Sequence, residues 1–523
     1  MDTESVHVQQ EEIDRLKARN QHTLLLDGWE DLLKRSLYGS VAVEVKQLPV
    51  VLALEDMTGS RAVTTDNPTI MQSFCRKFQE SYFWVLTFPC FLHSLNTLIG
   101  EICSFPLMKQ TVLKSTCIVN FFNSSHYWGG QLNGEAKKQG INRKMKQNCE
   151  SRFYALILQS MSVLAYWSPL SHTCLCPDAQ KRTNNQTPVA PAVIATVLHD
   201  LQYWKLLNQL VKTVKFLIDA IGNLESREAT LADCMLELIR CARQMSQLEL
   251  DADDDDTGFW MHAKSVFNRR FHAINTELHS LALFLHPMCQ KLAVMDASKG
   301  RPFEFMVKTA LAVAKQWRWG EQKAKLLVND LKAYNLCRAP FSGGQVDGLA
   351  WWESLAVSAE GHPLKALAIT LLSIVPHAAD VERLFSDMGS TQSPKRCNLS
   401  KAVVNGKPIR HRHAHMHTNA QPGINSEVAA DLKVNFAWAP PLAAQTQNID
   451  DNLAGPESIS LDEIDTAFAQ LECKKDVIER EPVDGNEVLE GQVYDFVALE
   501  HVDHGVHLSV PAASSFADLL DGH

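Results

Sequence analysis

The chain has 523 residues, 46% of them hydrophobic and 21% charged, which excludes a disulfide-stapled miniprotein and allows about three domains of roughly 150 residues. Thirteen cysteines without framework spacing follow a charged opening with no apolar signal core, a pattern that predicts a reducing, intracellular compartment. The net charge of −10 is unevenly spread: beyond Thr418 there are 20 acidic and 4 basic residues, net −16, leaving 40 acidic and 46 basic before it, net +6.

The longest apolar runs are far shorter than the roughly 18 residues of a membrane span, so no membrane partner is expected. Residues 22–29 (HTLLLDGW), 36–45 (SLYGSVAVEV) and 49–57 (PVVLALEDM) are β-rich runs joined by short polar links, the pattern of an antiparallel meander. A fourth strand, 62–67, ends at Asp66 and Asn67, and Pro68 opens a helix to about Tyr82. A fifth strand, 83–90, precedes another helix. Strands alternating with helices after a meander predict a mixed α/β sheet.

From about Arg152 to Tyr334 the apolar residues recur at helix spacing, as in Leu231, Met235, Leu238 and Ile239, and predict an all-helical insertion. The acidic run at 251–258 lacks the glycine and glutamate of a calcium loop and reads as a solvated link. A helical unit follows from 341, and beyond Gln421 the composition predicts a disordered acidic tail. Within that tail 457–472 carries Leu461, Ile464, Phe468 and Leu471 on one face behind a Ser460/Glu463 capping box.

Asp27 and Asp66 close the first and fourth predicted strands. If those strands are neighbours, the carboxylates converge and suggest a magnesium site, with Glu382 as a third ligand from a later helix. The alternative, that such aspartates only terminate strands or cap helices, stays open on spacing alone. Cys90 and His93 supply two of the four ligands structural zinc needs, so no zinc is expected, and packing or a DNA-facing role is preferred for them. His411, His413, His415 and His417 read as a solvated basic segment.

The motifs DGWEDLLKRSLYG, VTTDNPTIMQSF, FFNSSHYWGGQLN and CESRFYALILQ, with WWESL and PLKALAITLLSIVPHAADVERLFS, resemble the hAT superfamily of DNA transposases, fungal type, over roughly residues 22–400. The resemblance implies a ribonuclease-H-like sheet ordered 3-2-1-4-5 and split by the helical insertion: core first part at 22–151, insertion at 152–340, dimerisation region at 341–420, tail at 421–523. It implies an Asp27, Asp66, Glu382 triad holding Mg2+ or Mn2+ and cleaving DNA at element ends. Arg152 and Phe153 match a pair whose aromatic ring stacks on a flipped base. Trp351, Trp352, Leu367, Ile369, Leu372 and Phe385 match the dimerisation signature, which implies a homodimer, or pairing with a related transposase, in the nucleus.

Three departures from the family pattern accompany the match. Residues 1–21 hold no zinc-binding BED finger. Only four residues separate the third predicted strand from the fourth, too few for the helical crossover that parallel strands need, so the third or fourth strand must fray or the sheet must rearrange, and any displacement of Asp66 that results would degrade the two-metal geometry. Gly406 and Pro408 break the last helix of the dimerisation unit. These departures predict a transposase-derived protein with residual DNA binding and without transposition; the alternatives are an active transposase and a domesticated nuclear interaction protein.

Overall fold

The computed structural model describes residues 22–30, 36–46, 50–51, 60–66, 69–146, 152–182, 187–248, 255–274, 276–294 and 302–381; of 27–30, 36–39, 50–51, 69–70, 255–257, 272 and 292 it describes the backbone alone. Strands β1 (His22–Glu30), β2 (Ser36–Val43), β3 (Val50–Val51), β4 (Ser60–Thr65) and β5 (Leu86–Pro89) form one mixed sheet in the order β3-β2-β1-β4-β5. β1 and β2 pair antiparallel, as do β2 and β3, whereas β4 runs parallel to both β1 and β5.

Of the expected third strand, 49–57, Val50–Val51 form β3, and 49 and 52–57 lie outside the described residues. β4 runs in parallel register with β1 from Thr23↔Ala62 through Leu26↔Thr65.

One face of the sheet carries Leu24, Leu26 and Val63, which pack with Val85 against Met71, Phe74 and Phe78 of α1 (Thr69–Ser81). Period-2 alternation turns Thr23, Leu25, Ala62 and Thr64 to the other face. There the helices begin, with α2 (Phe91–Cys103), α3 (Pro106–Ser124), α4 (His126–Lys138), α5 (Phe153–Ala165), α6 (Trp167–Leu175) and α7 (Pro177–Gln180). α8 (Pro191–Ile194) runs into a π turn at Ala195–His199, and the long α9 (Leu201–Leu224) follows.

The remaining helices are α10 (Leu231–Ser246), α11 (Asp255–Ile274), α12 (Glu277–Leu285), α13 (Gln290–Val294), α14 (Phe303–Gln316), α15 (Glu321–Asn335), α16 (Gly348–Ser354) and α17 (Pro363–Leu372). Local chemistry sets several starts. Thr230 and Asp233 form a reciprocal capping box on α10, Asp200 and Asp347 cap α9 and α16, and proline opens α3, α7, α8 and α17.

A single apolar core runs from α2 to α17 and joins Phe91, Phe153, Leu217, Phe284, Trp352 and Leu371. A second, smaller core under α4 and α6 gathers Trp128, Leu132, Tyr166, Leu170 and Tyr203.

Candidate functional site

β1 and β4 are hydrogen-bonded neighbours, but of the two predicted strand-end aspartates only Asp66 lies at a strand end: β1 runs on past Asp27 to Glu30, because Asp27 to Glu30 stay paired with Gly39 to Ser36 of β2. Asp27 follows Leu26 and Asp66 follows Thr65, one step beyond the last registered pair of the two strands. Neighbouring strands are about 4.8 Å apart, a backbone spacing that suits two carboxylates sharing a cation. Asp66 is half-buried just past the end of β4. Its backbone is fixed from two sides: the Thr65 hydroxyl donates to the Asp66 carbonyl at 2.7 Å, and Cys90 N–H donates to the Thr65 carbonyl at 2.6 Å. Cys75 of α1 approaches the Thr65 hydroxyl at 3.8 Å. Burial pushes the Cys75 thiol up, the Thr65 contact and its own backbone pull it down, and the Asp66 carboxylate adds a further upward push.

The segment leading to the third predicted carboxylate docks on the same two strands. Val375 donates its N–H to Thr23 Oγ1 at 3.0 Å and accepts from Thr64 Oγ1 at 3.0 Å, so one peptide is held by β1 and β4 together. Next, the Pro376 carbonyl accepts from Phe91 N–H at 3.0 Å, and Ala378 N–H donates to Cys90 Sγ at 3.4 Å. His377 Nε2 lies 3.1 Å from the Ser226 carbonyl, and Asp380 accepts from Arg227 at 3.1 Å. All of 374–381 is buried. Glu382 lies outside the described residues, one peptide bond past Val381.

Thr23, Thr64, His377 and Asp380 were not picked out by the sequence reading. The signal available was the threonine interrupting each apolar strand: a hydroxyl inside HTLLLD or AVTTD needs a buried partner. What the partner is cannot be read locally.

The other predicted residues fall as follows. Cys90 is buried at the start of α2 and serves packing and the Ala378 hydrogen bond, while His93 is half-buried on the next turn. Arg152 caps α5. Phe153 is 6% exposed and packs in the main core. Of the expected dimerisation set, Trp351, Trp352, Leu367 and Leu372 are buried within the chain, Ile369 packs half-buried against them, and Phe385 lies outside the described residues. Their neighbours include α12, α15 and Phe341, with the Trp352 indole N–H donating to the Leu285 carbonyl at 2.7 Å.

His411 to His417 and the acidic tail also lie outside the described residues. Among the described residues no group of three His, Cys, Asp or Glu side chains gathers, and of the expected triad only Asp66 has its side chain among them. No described helix is long and apolar enough to cross a membrane.

No family model matches the chain, and no curated protein matches it.

Proposed function

We propose that this chain derives from a hAT-type transposase, with a ribonuclease-H-like core that holds divalent metal at Asp27, Asp66 and Glu382, and that it acts as a nuclear, DNA-associated protein without transposition activity. The observation that carries the reading is Val375, bonded to Thr23 of β1 and Thr64 of β4, which brings the segment ending next to Glu382 onto the two neighbouring strands that lead to Asp27 and Asp66. Along the chain Asp27 shares the parity of Thr23, and Asp66 that of Thr64. The strand order β3-β2-β1-β4-β5 supports the same reading.

Three carboxylates suit Mg2+ or Mn2+, hard cations that take oxygen ligands. When bound, such ions activate a water or hydroxyl and stabilise the leaving oxygen of a phosphodiester. The chain's own contribution is to hold the carboxylates, and a misplacement of about 1 Å costs on the order of a hundredfold in rate. The short link between the third and fourth predicted strands is the feature that argues against transposition. Metal binding tolerates such a misplacement better than phosphoryl transfer does.

The test pairs calorimetric titration of Mg2+ and Mn2+ with cleavage of a labelled DNA hairpin, using the full chain, Asp27→Asn and Glu382→Gln. The expected result is metal binding lost in both variants and no cleavage by any of the three. Absence of metal binding in the parent chain would sink the reading. Cleavage by the parent chain alone would establish the active transposase instead.

A further inference from the structure

α6 presents Trp167, His172 and Leu175 to solvent, and Trp167 is 57% exposed. Trp204, buried beneath it, approaches with ring centroids 6.2 Å apart. The indole is thus braced from within and open outward.

Two contacts tie a basic stretch to this helix. Tyr166, the residue before α6, donates its phenol to the Arg143 carbonyl, which ties the segment carrying the exposed Arg143 and Lys144 to the start of α6. Farther along, Glu135 of α4 accepts from Lys138 at 3.0 Å and meets His172 at 3.3 Å, which joins the turn carrying the exposed Lys137 and Lys138 to the same helix. Residues 126–146 contain five Lys or Arg side chains and one acidic, Glu135, already engaged by those two neighbours. The stretch tied to α6 thus carries a net charge of +4 next to a helix with an open aromatic ring.

We propose that this face binds single-stranded nucleic acid, with Trp167 stacking on a base and Lys137, Lys138, Arg143 and Lys144 lying along the phosphates. An unpaired strand offers both features the surface matches, a π-face for the indole and a line of anionic charge for the cations. A duplex keeps its base faces inside the stack and leaves Trp167 unused. The surface is separate from the metal site: Tyr154 N–H bonds Asn96 of α2 at 3.0 Å at one end of α5, and Tyr166 lies about 20 Å farther along the helix. It therefore stands or falls independently of the proposed triad.

Fluorescence anisotropy on the full chain tests it, with labelled DNA and RNA single strands of about 20 nucleotides and the matching duplex, at salt from about 50 to about 200 mM. Single strands should bind more tightly than the duplex, and the tighter of DNA and RNA identifies the preferred strand. Trp167→Ala should weaken binding about tenfold or more, while Trp167→Phe keeps most of it. Combined Lys137→Glu, Arg143→Glu and Lys144→Glu should weaken binding and lower the slope of log affinity against log salt by about two. The proposal is overturned by a duplex preference, by unchanged binding in Trp167→Ala with native near-ultraviolet dichroism, or by unchanged binding in the triple variant.

Discussion

The Thr64 hydroxyl donates to the carbonyl of Val375 at 3.0 Å, joining residues 311 apart in sequence. Thr64 lies two residues before Asp66 and Val375 seven before Glu382, so this bond positions one carboxylate's strand against the segment that supplies another.

Thr64→Val keeps the shape of the side chain and leaves the buried Val375 carbonyl without that donor. A loss of about 1–3 kcal/mol is expected in urea unfolding, together with weaker Mn2+ binding as the 374–381 segment loosens. Thr64→Ser retains the hydroxyl and should recover most of both. Equal stability and equal metal affinity across all three chains would show that the bond positions nothing.

Glu101 of α2 is buried and takes hydrogen bonds from Arg270 and Arg269 of α11, at 2.9 Å to Arg270 Nε and 3.0 Å to Arg269 Nη2. Burial works to raise its pKa, but the hydrogen bonds and charge of Arg270, then of Arg269, outweigh burial and hold the carboxyl below its ordinary value of 4.5. A carboxyl lowered in the folded state stabilises the fold fully above its unfolded pKa and loses that contribution as pH falls toward the folded pKa. Stability from this cluster should thus be constant near neutrality and decline below about pH 4.5. Glu101→Gln should cost about 3–5 kcal/mol at neutral pH and flatten that acid limb, because the arginines are left without their carboxylate. Urea unfolding across pH for both chains checks it; parallel curves would contradict the assignment.

Trp352 is wholly buried, 4.9 Å from Trp351 and 5.1 Å from Tyr334 between ring centroids. Trp352→Phe should cost about 1–3 kcal/mol by leaving the Leu285 carbonyl without its indole donor, and Trp352→Ala about 3–5 kcal/mol by opening a cavity. Light scattering should find the molar mass of the folded protein unchanged by Trp352→Phe. A variant that changed the association state while keeping the parent unfolding midpoint would instead place Trp352 at an interface between chains.

Strand and helix identity was legible in the sequence wherever the signal is local. Alternation in HTLLLDGW, the Asp-Asn-Pro stop after β4 and the helical spacing of Leu231 to Ile239 depend on neighbours a few residues away, and β1, β4, α1 and α10 form where those patterns place them. The position of Asp66 just past the end of β4 was legible for the same reason, whereas β1 runs on past Asp27 to Glu30 through its pairing with β2.

Two things were decided only by the tertiary structure. Trp351, Trp352 and Leu367 advertise burial equally well for a partner or for their own chain, since removing apolar area from water is favourable whichever surface covers it; here α12, α15 and Phe341 cover it. The grip of Thr23 and Thr64 on Val375 joins positions more than 300 residues apart. No local pattern encodes such a partner, because a hydroxyl in a strand states only that a hydrogen bond is needed, and the folded chain decides which peptide provides it.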